Sequence, residues 1–243
     1  MSVSSSPYTA LLRKIESHIA LTTDERQAIQ NLPVHVRAAK AGETLLREGD
    51  RPSQCCLVLS GLVCRQKIVG EGRRQIMSFD INGDVTDLQS LHLDVMDHDV
   101  AMLQDGKVGF LPHAALRAMT ERHPRIAAAL WRATLIDATI FRQWMVNIGR
   151  KSAYARTAHL ICELVALARS VGLNEYVIEH RPTQEELGNA LGLSIVHVNR
   201  TMRALREAGL VASEGRRLVV LDWEVLQSAG EFDPAYLHLK TAV

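Results

Sequence analysis

The chain has 243 residues, of which 47% are hydrophobic, and its formal net charge is +1. This length is enough for two domains, but no apolar run reaches the ~20 residues of a membrane span, so we expect no membrane partner. The N-terminus lacks the apolar segment of a signal peptide and the four cysteines show no paired spacing, so we expect a cytoplasmic protein with reduced thiols.

The first half of the chain predicts two short helices followed by many short strands. Helical periodicity covers residues 7–20 and 22–32. The pattern then changes to short apolar runs broken by Gly and Asp, at residues 44–46, 55–59, 62–64, 74–79, 101–103 and 108–111. Such regularly spaced strands with turn signals predict an all-β barrel or sandwich.

Two groups of polar residues in this region are candidates for a sensor chemistry. Cys55 and Cys56 are neighbours on a predicted strand, and small buried side chains are the interpretation that we favour for them. Because adjacent strand residues point to opposite faces, an exposed thiol with a redox role stays open as the alternative. A run of His and Asp residues could bind a metal, but a solvated acidic loop explains it better, and we predict no metal site; its members are His92, Asp94, Asp97, His98 and Asp99.

A long helix is predicted over residues 125–149, with Pro124 in its first turn. A stripe along this helix has a roughly heptad spacing, which is typical of a helix that packs against a partner. Its apolar members are Ile126, Leu130, Ala133, Ile140, Trp144 and Ile148. Asp137 interrupts this stripe. Either it tunes a switchable dimer, or the helix is rotated and Asp137 lies at the surface, which we favour slightly.

Residues 183–209 predict two helices joined by a glycine turn. Thr183 and Glu186 have the spacing of a capping box, Gly192 ends the first helix, and Ser194 can cap the second. Val198, Met202 and Leu205 would face inward. The opposite face carries side chains that can read bases in the major groove, since Asn pairs with adenine, Arg with guanine, and Val contacts a thymine methyl; they are Val196, His197, Asn199, Arg200 and Arg203.

A β-hairpin is predicted immediately after these helices, from apolar runs at residues 210–213 and 217–221 around Glu214-Gly215-Arg216. A helix-turn-helix followed by such a hairpin is a winged helix. Arg216 and Arg217 at its tip would suit contacts with phosphate, which add affinity but little sequence information. Asp222 is a candidate cap for one further helix.

The last third of the chain resembles the DNA-binding domain of the Crp/Fnr family of bacterial transcription regulators. The matching segments are residues 183–187, Gly192-Leu193-Ser194, Val198-Asn199-Arg200 and Gly209-Leu210-Val211. The resemblance implies that Thr183 and Gln184 contact phosphate and that Arg200 reads a guanine. Family members usually carry Arg-Glu after the capping serine, whereas this chain has Ile195-Val196, so its half-site should differ at the corresponding base pair.

The strand region resembles the cyclic-nucleotide-binding β-roll of the same family, through Gly42-Glu43, Glu48-Gly49-Asp50 and Gly83-Asp84. Members that bind cyclic nucleotides hold the phosphate with an Arg followed by Ser or Thr. Here no arginine occurs between Arg74 and Arg117, and the stretch is rich in Asp, which repels phosphate. We therefore predict that cAMP and cGMP are not the effector, unless a basic residue arrives from elsewhere. The cysteine cluster of iron–sulfur sensors is also missing, so no cofactor is predicted.

The sequence thus predicts an α+β protein with a β-roll sensor domain at residues 1–123, a dimerisation helix at 124–149 and a winged helix-turn-helix at 150–243. We predict a homodimer that binds a near-palindromic operator in double-stranded DNA, with no catalytic residues and with RNA polymerase as a further partner if it activates. Two alternatives stay open. One is a cupin-like metal-dependent enzyme with an appended helical domain, and the other is a constitutive DNA-binding dimer whose effector pocket is vestigial.

Overall fold

The computed structural model describes residues 6–173 and 176–240. The chain divides into two compact units. Of the described residues, 6–66, 79–137 and 239–240 form the first unit, and 67–78, 138–173 and 176–238 form the second.

The first unit combines short N-terminal helices with antiparallel strands. Its helices are α1 (Tyr8–Glu16), α2 (Thr23–Gln30), α3 (His113–Arg122) and the first half of α4 (Pro124–Arg150). The strands of this part of the chain are β1 (His35–Ala39), β2 (Thr44–Leu46), β3 (Gln54–Ser60), β4 (Val63–Val69), β5 (Arg73–Asp80), β6 (Asp99–Met102) and β7 (Gly106–Pro112). Residues 67–69 of β4 and 73–78 of β5 belong to the second unit. The strands form two sheets, in the orders β1-β7-β3 and β2-β6-β4-β5.

Two apolar layers hold this unit together. One contains residues of both sheets, among them Cys56, Val63 and Val108, and therefore fills the space between the sheets. The other joins the opposite face of β3 and β7, through Cys55 and Leu111, to helices α1 to α4. The predicted β-roll is confirmed, and both faces of the β1-β7-β3 sheet are covered.

The favoured interpretation of the neighbouring cysteines is confirmed, and the alternative that one of them is exposed is wrong. Cys55 and Cys56 do point to opposite faces of β3, but each face packs against an apolar layer and both thiols are fully buried. Burial raises the pKa of both thiols, that of Cys56 to about 12. Because the thiolate is the reactive form, neither residue is a suitable redox centre.

Helix α4 is confirmed, but the stripe predicted along it is only partly exposed. Ile126 and Trp144 are buried, whereas Ile148 is 39% exposed. The most exposed apolar residues of α4 lie outside this stripe, with Trp131 at 69% and Met145 at 74% exposure and Leu135 between them. This pattern favours the rotated helix, while the position of a dimer contact stays a prediction. Asp137 is not a plain surface residue, however, because it accepts a hydrogen bond from Arg65 of β4 at 2.8 Å.

The second unit is a helical domain with a small sheet. After the C-terminal half of α4 it contains α5 (Ala153–Ser170), β8 (Val177–Ile178), α6 (Gln184–Leu191), α7 (Ile195–Glu207), β9 (Val211–Glu214), β10 (Arg217–Val220) and α8 (Trp223–Gly230). The strands are ordered β8-β10-β9, and β9 and β10 form the predicted hairpin. Asp222 caps α8 by accepting from the Val225 amide, as predicted.

A buried polar network lies in the interior of this unit. Glu163 on α5 accepts hydrogen bonds from Trp144 Nε1, at 2.7 Å, and from the hydroxyl of Tyr236. Tyr236 also contacts His159 Nε2, and its carbonyl accepts from Thr139 on α4 at 2.6 Å. The segment after α8 thereby links α4 with α5.

Candidate nucleic-acid interface

The turn between α6 and α7 is fixed by local interactions. The Thr183 hydroxyl accepts from the Glu186 amide at 3.2 Å, and the Glu186 carboxylate accepts from the Thr183 amide at 2.7 Å, so the predicted capping box is confirmed. Gly192 ends α6 with φ +61°, a left-handed conformation that glycine adopts without strain. A Cβ on Gly188 would lie 2.7 Å from the Leu193 carbonyl oxygen. Glycine at position 188 is therefore needed for the turn to fold back against α6.

Helix α7 has one buried and one exposed face. The Ser194 hydroxyl caps it by accepting from the His197 amide at 3.3 Å. Val198, Met202 and Leu205 are buried, as predicted. The first turn is unusually apolar on the exposed side, where Val196 is 78% exposed and Ile195 is half exposed. Exposed apolar side chains at the start of a helix have no folding role to explain them, so they point to a contact outside the chain.

The polar side chains on this face are exposed and only lightly engaged. His197, Asn199, Arg200 and Arg203 are all solvent-accessible. Arg200 Nη2 donates to His197 Nε2 one turn earlier, and Arg203 Nε donates to Glu207 at 2.7 Å. Exposed pairs of this kind are weak, so both guanidinium groups can exchange them for base or phosphate oxygens at little cost. The structure thus brings the predicted base-reading residues onto one accessible face.

The two arginines of the hairpin differ from each other. Arg216 lies in the turn after Gly215 and its side chain is exposed. Arg217 is held by Glu179 through two hydrogen bonds of 2.6 and 2.7 Å, which raise its pKa. Sequence reasoning missed this pair, because its members lie 38 positions apart and give no local signal. The bidentate pair leaves Arg216 as the freer of the two.

Basic residues do reach the acidic region of the β-roll, where the sequence alone placed none. Arg65 binds Asp80 at 2.9 Å and Asp137 at 2.8 Å, and Lys14 binds Asp84 at 2.7 Å. Burial opposes the charge on Arg65, but the two carboxylates outweigh it and raise the arginine's pKa. Two cations thus meet three carboxylates. This arrangement has no surplus positive charge with which to hold a phosphate.

The five His and Asp residues between positions 92 and 99 do not converge on a point where a metal could bind. His92, Asp94 and Asp97 are exposed, whereas His98 is buried and its Nδ1 contacts Asp97 at 2.7 Å. Asp99 accepts from the Glu48 amide at 2.8 Å, which fixes a turn. The solvated-loop interpretation therefore fits the three exposed residues and not His98.

Helix α7 is capped, exposes its polar face to solvent and is followed by a β-hairpin. Winged helices present side chains to the major groove of DNA in this form, so the second unit is a DNA-binding module. Comparison with known families agrees for both units. Residues 155–229 match the Crp-like helix-turn-helix domain, and residues 36–123 match the cyclic nucleotide-binding domain. The chain belongs to the Crp/Fnr family and is a sequence-specific DNA-binding transcription regulator.

Individual relatives support the same assignment. The transcriptional activator protein anr of Pseudomonas aeruginosa is 25% identical over 204 residues, 84% of each chain. The transcriptional activator protein FnrL of Cereibacter sphaeroides is 26% identical over 81% of each chain. Among solved structures, FixK2 from Bradyrhizobium japonicum aligns with a TM-score of 0.73 at 23% identity, covering 82% of this chain and 98% of its own. These findings support the regulator and not the cupin-like alternative.

Within residues 6–173 and 176–240, none of the helices combines the length and the low charge that crossing a bilayer requires.

Proposed function

We propose that the protein works as a homodimer whose two α7 helices enter successive major grooves of a near-palindromic operator, about 34 Å apart. The observation that carries the proposal is the exposed face of α7, where apolar and polar side chains project together from a helix that is capped and anchored on its other side. A protein that binds chromosomal DNA acts in the cytoplasm, which is the location we propose.

The proposed division of labour on DNA follows from the accessibility of each side chain. Arg200 and Asn199 would read bases through paired hydrogen bonds, with His197 and Arg203 beside them. The methyl groups of Val196 and of Ile195 would contact thymine methyls, where relatives carry Arg-Glu. Residues at the edges of the face would bind the phosphate backbone, namely Thr183, Gln184, Ser194, Arg216 and, more weakly, Arg217.

The dimer contact we propose uses the exposed face of α4 in place of the stripe expected from the sequence. Trp131, Leu135, Ala138, Arg142 and Met145 follow one another at intervals of four, three, four and three residues. That spacing keeps a stripe on one side of two supercoiled helices. Three of these side chains are large, apolar and more than half exposed, namely Trp131, Leu135 and Met145. A second copy of the same helix, lying parallel, would bury them.

The effector that we propose is not a cyclic nucleotide. Arg65 and Lys14 are the buried cations of the β-roll that could bind a phosphate, but both are already bound to carboxylates. Releasing either would leave buried carboxylates without a counter-charge, which costs several kcal/mol in a buried setting, on the order of 3–5. Activation of transcription would additionally require a contact with RNA polymerase.

In vitro selection of DNA from a random library tests this function. Purified protein should enrich an inverted repeat whose half-sites are centred one helical turn apart. The selection is repeated with and without reductant, oxygen and cAMP. We expect cAMP to have no effect, and enrichment of no motif under any condition would contradict the proposal. Full affinity in every condition would favour the constitutive dimer with a vestigial pocket.

A further inference from the structure

Three buried side chains in the first unit bring together a thiol, a carboxylate and an imidazole. Cys55 lies on β3, Asp87 follows β5 in the connection to β6, and His113 begins α3. Their candidate ligand atoms lie within 4.8 Å of one another. Sulfur, oxygen and imidazole nitrogen are the donor types that zinc uses in proteins. None of the three takes part in the DNA-binding face or in the acidic region around Arg65.

A fourth polar atom completes the arrangement. Ser90 Oγ lies 3.1 Å from Asp87 Oδ2, 3.0 Å from His113 Nε2 and 3.6 Å from Cys55 Sγ. Ligands bound at about 2.0–2.3 Å to a tetrahedral metal are separated by roughly 3.3–3.8 Å. The three distances from Ser90 are close to those edges, and the other three pairs of atoms lie within 4.8 Å, so side-chain shifts alone would bring the four atoms around one metal ion.

The surroundings of Asp87 favour a cation at this position. Its carboxylate accepts from the Cys56 amide at 2.7 Å, from the Thr86 hydroxyl at 3.4 Å and from Ser90. All of these donors are neutral, although the side chain is fully buried. Buried carboxylates in proteins are generally paired with a cation or coordinate a metal. The amide and hydroxyl also fix the orientation of the carboxylate, as second-layer hydrogen bonds do in metal sites.

We propose that Cys55, Asp87 and His113 bind one zinc ion or a similar divalent metal, with Ser90 Oγ or a water molecule as the fourth ligand. A thiolate and a carboxylate together neutralise the two positive charges, so the complex carries no net charge into the apolar layer. Ser90 belongs to the short helical turn Leu88–Leu91. Metal would enter while the chain folds, or when this turn opens.

Cobalt provides the direct test, because a cobalt–thiolate bond gives a charge-transfer absorption band and tetrahedral Co²⁺ absorbs strongly in the visible. The full chain is unfolded, stripped of metal and refolded with Co²⁺. We expect about one equivalent per chain and both absorption features. Cys55→Ser should abolish the charge-transfer band, and His113→Gln should weaken Co²⁺ binding at least 10-fold. Cys56→Ser, on the opposite face of the same strand, should retain the band.

Failure of the parent chain to bind cobalt on refolding would overturn the proposal, and so would an unchanged charge-transfer band in Cys55→Ser. If Cys55→Ser does not fold, X-ray absorption at the zinc edge of the parent protein decides. One sulfur among nitrogen and oxygen neighbours is expected. A zinc shell without sulfur, or protein that contains no zinc when expressed and refolded with it, would contradict the site.

Discussion

Arg65 Nη1 on β4 donates to Asp137 on α4 at 2.8 Å, while the Nε and Nη2 atoms of the same arginine hold Asp80 at 3.3 and 2.9 Å. The Arg65 side chain is only 8% exposed. A buried guanidinium therefore connects the sheet β2-β6-β4-β5 to the central helix. The carboxylate that looks out of place in the apolar pattern of α4 has its partner 72 residues earlier in the chain.

Loss of this ion pair should lower the stability of the protein. Asp137→Asn removes one of the two carboxylates that the buried Arg65 binds, and we expect the free energy of unfolding to fall by about 1–3 kcal/mol, less than for a fully buried pair because Asp137 is 35% exposed. Urea unfolding measures the change. Glu207→Gln, which breaks the exposed pair with Arg203, is the control and should cost less than about 0.5 kcal/mol. Equal effects of the two variants would show that the buried pair contributes no more to stability than the exposed pair.

The two hairpin arginines should differ in their contribution to DNA binding. Arg216→Ala should weaken binding to all DNA sequences alike and reduce the slope of log affinity against log salt by about one phosphate contact. Arg217→Ala should have the smaller effect, because Glu179 already occupies its guanidinium. Fluorescence anisotropy over a series of salt concentrations measures both slopes. A larger effect from Arg217 would mean that its pair with Glu179 opens on DNA.

Disruption of the exposed face of α4 should separate the dimer. Met145→Glu would place two like charges against each other in a parallel helix pair, so we expect the variant to sediment as a monomer at concentrations where the parent is a dimer. Val225→Glu, at a half-exposed apolar position on α8, is the matched control and should leave the dimer intact. Sedimentation velocity distinguishes these results. A dimeric Met145→Glu protein would place the contact elsewhere.

The buried carboxyl group of Glu163 should make stability depend on pH. Burial raises its pKa from 4.5 to about 7, so the folded protein keeps a proton that the unfolded chain releases. Stability should therefore fall as pH rises from about 4.5 to about 7, by about 3 kcal/mol in total, and the loss should persist above that range.

Glu163→Gln is the test of this pH dependence. The amide stays neutral and can still accept from Trp144, so the variant should lose most of the decline between pH 6 and pH 7.5, above the pKa of about 6 of the buried carboxyls of Asp80 and Asp87. Glu224→Gln, which changes an exposed carboxylate on α8, should decline like the parent. Urea unfolding at several pH values gives the comparison. A Glu163→Gln protein with the parent's full pH dependence would exclude Glu163 as its source.

Features set by neighbouring residues could be predicted from the sequence. The capping box of Thr183 and Glu186, the end of α6 at Gly192 and the buried stripe of α7 all depend on residues within a few positions of one another. Helix α3 was missed because it begins after Pro112, whose side chain makes no capping hydrogen bond, so it has no start signal. Local capping and turn residues were thus enough to predict the helix-turn-helix, whereas α3 has no such residue at its start.

Long-range pairings could not be predicted. Arg65 with Asp137, Arg217 with Glu179, and the cluster of Cys55 with Asp87 and His113 each join residues dozens of positions apart, which only the packing of sheets and helices brings together. The burial of both neighbouring cysteines has the same origin. Alternation along β3 was correct, but whether a face is covered depends on elements elsewhere in the chain.

The central claim is that α7 reads DNA through Arg200, and binding of an Arg200→Ala variant to the selected operator tests it most directly. Removal of two hydrogen bonds to a guanine should cost about 1–3 kcal/mol, a roughly 5- to 150-fold loss of affinity, and should relax the preference at one base position of each half-site. Arg122→Ala, which removes the same charge from an exposed site on α3, is the control and should bind like the parent. If Arg200→Ala bound the operator with the parent's affinity and sequence preference, α7 would not lie in the proposed register on DNA.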